Sequence, residues 1–268
     1  MVRQPAVAGM FYPGEAQTLR RQVETLLPHG DSLAGVIGIV APHAGYLYSG
    51  ECAGKAWSGL YPDDTVVVLG VNHRGTGAPL AVDDHEAWLT PLGEVRVDLE
   101  LARNLVSEAP QFAMDGRAGL LEHSLEVQVP FVQVAAPDAA ILPIVIGAVD
   151  EDTLMEAGRM LARVIQSQRP GALLVASTDM SHYISAAAAE RLDRQAINRI
   201  LALDPVGLLQ VVISKRISMC GVAPTVLALA AARHMGASRV EETCYTHSGV
   251  VTGDDSEVVA YWSGRILS

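Results

Sequence analysis

Four short apolar segments, each followed by a loop with polar side chains, constrain the fold of this chain most strongly. They cover residues 35–41, 65–70, 141–147 and 172–177. Segments of this length and composition are typical of strands that are buried on both faces of a sheet. Helical periodicity occupies intervals between them, as over residues 18–27, 49–60 and 152–168. Residues 125–134 favour a helix, with a strand as the alternative, and residues 240–246 and 257–262 are expected to be late strands that could pair with each other. The alternation predicts an α/β fold for residues 1–268: a single domain whose central, mainly parallel or mixed sheet is flanked by helices.

The composition narrows the functional classes. The net charge is −11, and Lys and Arg are not clustered, which argues against a nucleic-acid partner. No secretory leader is evident, and no apolar run reaches the roughly 20 residues of a membrane span. The cysteines are sparse and odd in number, at positions 52, 220 and 244, which favours a reducing compartment over a disulfide framework. We therefore expect a soluble, cytoplasmic protein without a membrane partner.

Titratable side chains follow three of the apolar segments. His43 follows the first segment and His73 the second, while Asp179 and His182 follow the fourth. In open α/β sheets, the carboxyl ends of the strands line the ligand crevice. Each histidine taken alone is more often a structural residue than a ligand. Their convergence at one edge of the predicted sheet is what indicates a functional site.

Cys220 stands where a loop is expected to turn into a helix, since Pro224 suits a first turn and residues 225–232 favour a helix. A helix start favours the thiolate form of a cysteine. Two imidazoles and one thiolate, from His43, His73 and Cys220, are a suitable ligand set for Fe(II), Cu or Zn. The alternative is that Cys220 is a small buried apolar residue.

Two acid–histidine pairs offer proton chemistry. Asp179 with His182, and Glu122 with His123, could supply a general acid and base beside a metal. The alternative for each pair is a helix cap and a hydrogen-bonded structural histidine. The other histidines, to which we assign no role, are His29, His85, His234 and His247.

Seven motifs, in order, make the chain resemble the Memo family, whose prokaryotic branch is labelled AmmeMemoRadiSam system protein B. They are RQPAVAGMFYP at 3–13, APHAGYLYSG at 41–50, GVNHRG at 70–75, TPLGEVRVD at 90–98, EHSLEVQVPF at 122–131, STDMSHY at 177–183 and SMCGVAP at 218–224. This family is similar in fold to class III extradiol ring-cleaving dioxygenases, which bind non-haem Fe(II) with two histidines and a glutamate. The resemblance implies that His43 and His73 are metal ligands and that Cys220 occupies the glutamate position.

The resemblance also implies roles around the metal. His182 would be the acid/base residue, tuned by Asp179, and His123 would lie on the substrate side. Because a thiolate softens the site, Cu and Zn join Fe(II) as candidate cofactors, with Fe(II) leading. Together with these residues, the resemblance implies a metal-dependent redox protein, a dioxygenase-like oxidoreductase with O2 chemistry on a small-molecule substrate.

Two other functions are alternatives to redox chemistry, and the family label also implies protein partners. The same cleft could serve a non-catalytic binding or signalling module for a phosphopeptide-type ligand. Alternatively, Cys220 could be the nucleophile of a cysteine hydrolase. The family label further implies a radical-SAM protein and a third small protein as partners.

Overall fold

A mixed sheet of nine strands is the framework of the computed structural model, which describes residues 1–27, 32–62 and 64–268; His29 lies outside this range. A smaller sheet contains three further strands. The strands are β1 (Val2–Arg3), β2 (Val36–Ala41), β3 (Thr65–Val71), β4 (Leu80–Val82), β5 (Ala87–Thr90), β6 (Gly93–Arg96), β7 (Ala113–Met114), β8 (Ala140–Ile146), β9 (Leu173–Ser177), β10 (His182–Ile184), β11 (Arg239–His247) and β12 (Val258–Leu267). The helices are α1 (Ala16–Leu26), α2 (Tyr46–Trp57), α3 (Leu99–Glu108), α4 (His123–Glu126), α5 (Val129–Ala135), α6 (Glu151–Gln168), α7 (Ala186–Leu201), α8 (Pro205–Lys215), α9 (Val222–His234) and α10 (Gly249–Thr252).

The strand order across the large sheet is β10-β12-β2-β9-β3-β8-β4-β7, and β11 pairs with residues 260–267 of β12. The central strands β2, β9, β3 and β8 are parallel to one another. Antiparallel pairs flank them, since β12 runs opposite to β2 and β4 runs opposite to β8. The expected single-domain α/β fold with a mixed sheet is therefore confirmed. The smaller sheet joins β1, β5 and β6.

Two apolar cores lie on opposite faces of the large sheet, because successive residues of a strand point to opposite sides. In β3, Val67 and Leu69 belong to one core, together with side chains of α3, α6 and α9. Val66 and Val68 belong to the other core, together with side chains of α1, α2 and α5. Burial on both faces explains why the strand segments are apolar without alternation.

The structure differs from the sequence predictions at two places near the site. The loop predicted after β9 contains β10, a short strand that pairs with the edge of β12 through backbone hydrogen bonds. Its sequence lacks an apolar alternation, so only the pairing reveals it. The helix predicted over residues 125–134 is divided into α4 and α5, and Pro130 lies in the first turn of α5, where its missing N–H is tolerated. The two late strands, β11 and β12, pair with each other as expected, and their pairing is antiparallel.

Helix α9 is buried along most of its 13 residues and packs against α6. A Cβ atom at Gly158 of α6 would lie 2.7 Å from Cβ of Ala230, so small residues permit this close approach. Within residues 1–27, 32–62 and 64–268, no helix has both the length and the apolar character needed to cross a membrane.

Candidate metal centre

The carboxyl ends of three neighbouring parallel strands form one edge of the site. His43 follows β2, Asp179 follows β9, and His73 follows β3; β9 lies between the other two strands. The geometry confirms the expectation that these residues reach the same edge of the sheet. The loop between β9 and β10 also contacts Cys220, because the N–H of Asp179 donates to its sulfur at 3.3 Å.

Three histidines lie close enough to share a metal ion. One nitrogen from each of His43, His73 and His123 lies within 4.8 Å of the other two. The ring of His43 stands nearly perpendicular to the other two rings, at 5.4 Å between centroids in both cases. Those two rings are stacked at 4.8 Å. The family resemblance implied a substrate-side role for His123. In the structure, His123 lies close enough to His43 and His73 to bind the same metal ion.

The environment of His43 leaves a lone pair on its Nε2 atom. The Ser177 hydroxyl lies 3.0 Å from Nδ1 of His43. This hydroxyl donates to the carbonyl of Ser124 at 2.6 Å, so it must accept the proton of Nδ1. Burial, and then the charge of His73, lower the pKa of His43 to about 3. The ring is therefore a neutral imidazole with a lone pair at Nε2, which is the form that binds metals.

Glu122 supports the other two imidazoles. Its Oε1 atom lies 2.9 Å from Nδ1 of His73 and 3.4 Å from Nδ1 of His123. Burial disfavours the charged carboxylate, but hydrogen bonds from His73 and the N–H of Ser124 outweigh it and lower the pKa of Glu122 to about 2. Burial, and then the charge of His43, lower the pKa of His123 to about 4. The site thus places the Glu122 carboxylate behind the imidazoles of His73 and His123.

Cys220 touches the histidine group through His43. Its Sγ atom lies 3.2 Å from Nε2 of His43, and Oδ2 of Asp179 lies 3.9 Å from the same nitrogen. Gly221 permits this turn, because a Cβ atom there would lie 2.4 Å from Cβ of Thr178. Among the residues that the structure describes, the group whose ligand atoms all lie within 4.8 Å of one another contains the three histidines and not Cys220.

The surroundings of Cys220 oppose the thiolate that a helix start favours. Helix α9 begins at Val222, so Cys220 precedes the cap of the helix. Burial, and then the charge of Asp179, raise the pKa of the Cys220 thiol to about 12. Desolvation therefore outweighs the helix start. A bound cation would be needed to displace the thiol proton, as metal coordination does for cysteine ligands.

Asp179 and His182 have different partners. Asp179 accepts the backbone N–H of His43 at 2.8 Å, and burial raises its pKa. Nδ1 of His182 lies 2.9 Å from the carbonyl of Ser218, whose hydroxyl accepts the N–H of His182 at 2.8 Å. No direct hydrogen bond joins Asp179 to His182 in the described part of the chain. The Ser218 carbonyl fixes the Nδ1 proton of His182 and leaves Nε2 available at the rim of the site.

The N-terminal segment holds α4 in place. Arg3 is almost completely buried and donates to the carbonyl oxygens of Gly119 and Glu122. It also pairs with Glu126, which accepts the hydroxyl of Tyr12 at 2.6 Å. This network fixes the segment that carries Glu122 and His123. The sequence analysis did not identify it, nor the supporting roles of the serines at 124, 177 and 218, because these contacts join distant parts of the chain.

The fold and the histidine site define an α/β protein with a candidate metal centre at the carboxyl edge of its sheet. Residues 3–265 match the family described as Memo-like protein, and the chain belongs to this family. It is 38% identical to a MEMO1 family protein of Methanothermobacter thermautotrophicus, over 97% of this chain and 99% of that protein. It is 39% identical to a MEMO1 family protein of Aquifex aeolicus, over 97% of each chain.

A solved structure was also found by comparison of folds. The crystal structure of an uncharacterized protein from Escherichia coli K12 superposes with a TM-score of 0.49 and 18% sequence identity. The match covers 76% of this chain and 86% of that chain.

Proposed function

We propose that this protein is a metal-dependent redox protein of the cytoplasm, with O2 chemistry on a small-molecule substrate. The observation that supports the metal site most directly is the group of His43, His73 and His123, whose ligand nitrogens lie within 4.8 Å of one another. Fe(II) is the leading candidate for the metal, and Cu is the next. Imidazole suits Fe, Cu and Zn, so the histidines alone do not select one of them.

The donor atoms of this chain fit such a metal. His43, His73 and His123 would hold it, and the Cys220 sulfur beside Nε2 of His43 would add a softer ligand. Glu122 would orient His73, as outer carboxylates do for metal-binding histidines. When bound, iron or copper would supply electron transfer and oxygen activation.

The chain itself would supply proton transfer at the rim. Nε2 of His182 is free to accept or donate a proton, because Nδ1 is held by the Ser218 carbonyl. Asp179 would keep the His43 loop in place through its contact with the His43 N–H. Its raised pKa, caused by burial, would also let it carry a proton near Nε2 of His43.

Oxygen uptake by metal-loaded protein tests this function. Chelated protein is reloaded without oxygen with one equivalent of Fe(II), Cu(I) or Zn(II), and an oxygen electrode records uptake on mixing with air-saturated buffer, with and without a catechol. Zn(II) is the matched control, since it fills the site but has no redox chemistry. We expect the Fe(II) or Cu(I) protein to consume oxygen beyond the free metal ion and the Zn(II) protein to consume none. Equal uptake by all three forms would contradict the proposal.

A cysteine hydrolase is the second candidate, and one observation favours it. The Cys220 sulfur and Nε2 of His43 are 3.2 Å apart, within reach of a nucleophile–base pair. The raised pKa of Cys220 and the lowered pKa of His43 oppose a resting thiolate–imidazolium pair. Rapid alkylation of Cys220 by iodoacetamide in metal-free protein near pH 7 would favour the hydrolase.

A binding module in the same cleft would instead hold metal without consuming oxygen.

We also propose that the protein partners are those that the family resemblance implies, a radical-SAM protein and a third small protein. We propose that the protein binds neither a nucleic acid nor a membrane. The net charge of −11 supports the exclusion of nucleic acid. Co-purification with the products of neighbouring genes is the test of the protein partners.

A further inference from the structure

Two cysteines outside the histidine site converge on one serine. Cys52 lies in α2 and is fully buried, whereas Cys244 lies in β11 and is half-buried. Ser263 of β12 is the cross-strand partner of Cys244, and its Oγ atom lies 3.6 Å from Sγ of Cys52. Cross-strand partners of an antiparallel pair lie on the same face, so the Cys244 side chain lies beside Ser263, as Cys52 does. Helix α2 and strand β11 therefore present a pair of thiols across their contact.

The two thiols differ in reactivity. The hydrogen bond from Cys52, and then the charge of Lys55 one turn further along α2, lower the pKa of Cys244. Burial raises the pKa of Cys52 far above its usual range. A half-exposed cysteine with thiolate character reacts first with oxidants, and a protected neighbouring thiol resolves the product. The environment thus assigns Cys244 the attacking position and Cys52 the resolving position.

We propose that Cys52 and Cys244 are a dithiol modification site, which a hydroperoxide oxidises to an intramolecular disulfide. The Cys244 thiolate attacks the peroxide oxygen, the O–O bond breaks, and the sulfur becomes a sulfenic acid. The leaving hydroxide or alkoxide takes a proton from solvent to form water or an alcohol, respectively. The Cys52 thiol then attacks the sulfenic sulfur, the S–S bond forms and the S–O bond breaks, and the hydroxyl leaves as water with the Cys52 proton. The two thiols lose two electrons, which reduce one hydroperoxide. A thiol donor reverses the reaction by exchange.

The disulfide would add a covalent link between α2 and β11, which pack against each other. Helix α2 begins at Tyr46, directly after the loop of His43. A bond at Cys52 would therefore anchor the helix that ends this loop. The inference does not rest on the proposed redox function, because the thiol pair is separate from the histidines and needs only an external oxidant. Transient disulfides of this kind are the usual form in reducing compartments.

Peptide mapping can assign the bond without ambiguity. The three cysteines fall on three different tryptic peptides, residues 22–55 for Cys52, 217–233 for Cys220 and 240–265 for Cys244. The full-length protein is reduced, treated with hydrogen peroxide, alkylated and digested without reductant. We expect mass spectrometry of the monomer to show the 22–55 peptide joined to the 240–265 peptide, and dithiothreitol to separate them. The thermal midpoint should rise on oxidation and return on reduction.

Three variants control this experiment. Cys220→Ala should form the same crosslink, which shows that the bond does not pass through the metal site. Cys52→Ala should form no crosslink, and its Cys244 should proceed to sulfinic acid. Cys244→Ser should leave Cys52 reduced. Because Cys244 is only half-buried, this substitution should disturb folding less than Cys52→Ala does. The proposal is overturned if both thiols stay reduced while Cys220 oxidises, or if the crosslinks join separate chains or involve Cys220.

Discussion

The sulfur of Cys220 lies 3.2 Å from Nε2 of His43, the one ring nitrogen that the Ser177 contact leaves free. A metal bound at this nitrogen would have the sulfur beside it. The same contact would serve a nucleophile and its base. Substitutions of Cys220 and His43 can distinguish the two functions, because a metal site needs both side chains as ligands, whereas a hydrolase needs one as nucleophile and the other as base.

Replacing the sulfur tests whether Cys220 is a ligand. Cys220→Ser should abolish the sulfur-to-metal charge-transfer absorption of Co(II)-loaded protein, because serine offers no thiolate. Its metal affinity should fall by more than the roughly 10–100-fold that loss of an outer partner costs. Titration with Co(II), followed by absorption, measures both effects. Cys244→Ser is the matched control and should bind as the wild type does; an unchanged absorption band in Cys220→Ser would exclude the sulfur as a ligand.

Neutralising the outer carboxylate tests the support of the imidazoles. Glu122→Gln retains the shape but removes the charge that faces His73 and His123. We expect metal affinity to fall about 10–100-fold with the fold intact. A competition titration against a chelator measures the affinity, and circular dichroism checks the fold. Glu108→Gln, at an exposed position of α3, should have no effect. Equal affinities in the two variants would refute the role of Glu122.

Removing the rim histidine tests proton transfer. His182→Ala should keep the metal content of the wild type, because the ring lies outside the three-histidine group. Oxygen uptake with substrate should fall by about 10²–10⁴-fold, the usual contribution of a general acid or base. His234→Ala, at an exposed position, is the control. Loss of metal in His182→Ala would instead place His182 among the ligands.

The lowered pKa values of two histidines predict the pH dependence of stability. His43 titrates at about 3 and His123 at about 4 in the folded protein, against 6.5 ordinarily. The unfolded chain therefore binds more protons between these values, so stability is complete above about pH 6.5 and falls as the pH decreases toward 4. Each histidine contributes up to about 1.4 kcal/mol per pH unit in this window.

Urea unfolding of metal-free protein at several pH values measures this effect. The free energy of unfolding should decrease from about pH 6.5 to 5, and more steeply in the wild type than in His123→Gln. Exposed His234→Gln should retain the wild-type slope. Parallel slopes for the wild type and His123→Gln would show that the buried ring does not resist protonation.

The sequence was sufficient for the central sheet because its strands are buried on both faces and leave continuous apolar segments. It also placed His43 and His73 at one edge, since parallel strands deliver their carboxyl ends together. It could not show that His123 completes the group, because this depends on how α4 packs over β3. Ser177 could have been suspected from the sequence, because it is a polar residue at the end of a buried apolar strand. Its contacts with His43 and Ser124 could not be predicted, because those residues lie far away in the chain.

Metal content tests the central claim most directly. Protein purified under reducing, oxygen-free conditions is analysed for Fe, Cu and Zn beside the variant His43→Gln/His73→Gln. The account predicts about one equivalent of metal per wild-type chain, held by these imidazoles, and nearly none in the double variant. Wild-type protein that holds less than about a tenth of an equivalent, and that takes up no more when metal is added, would contradict it.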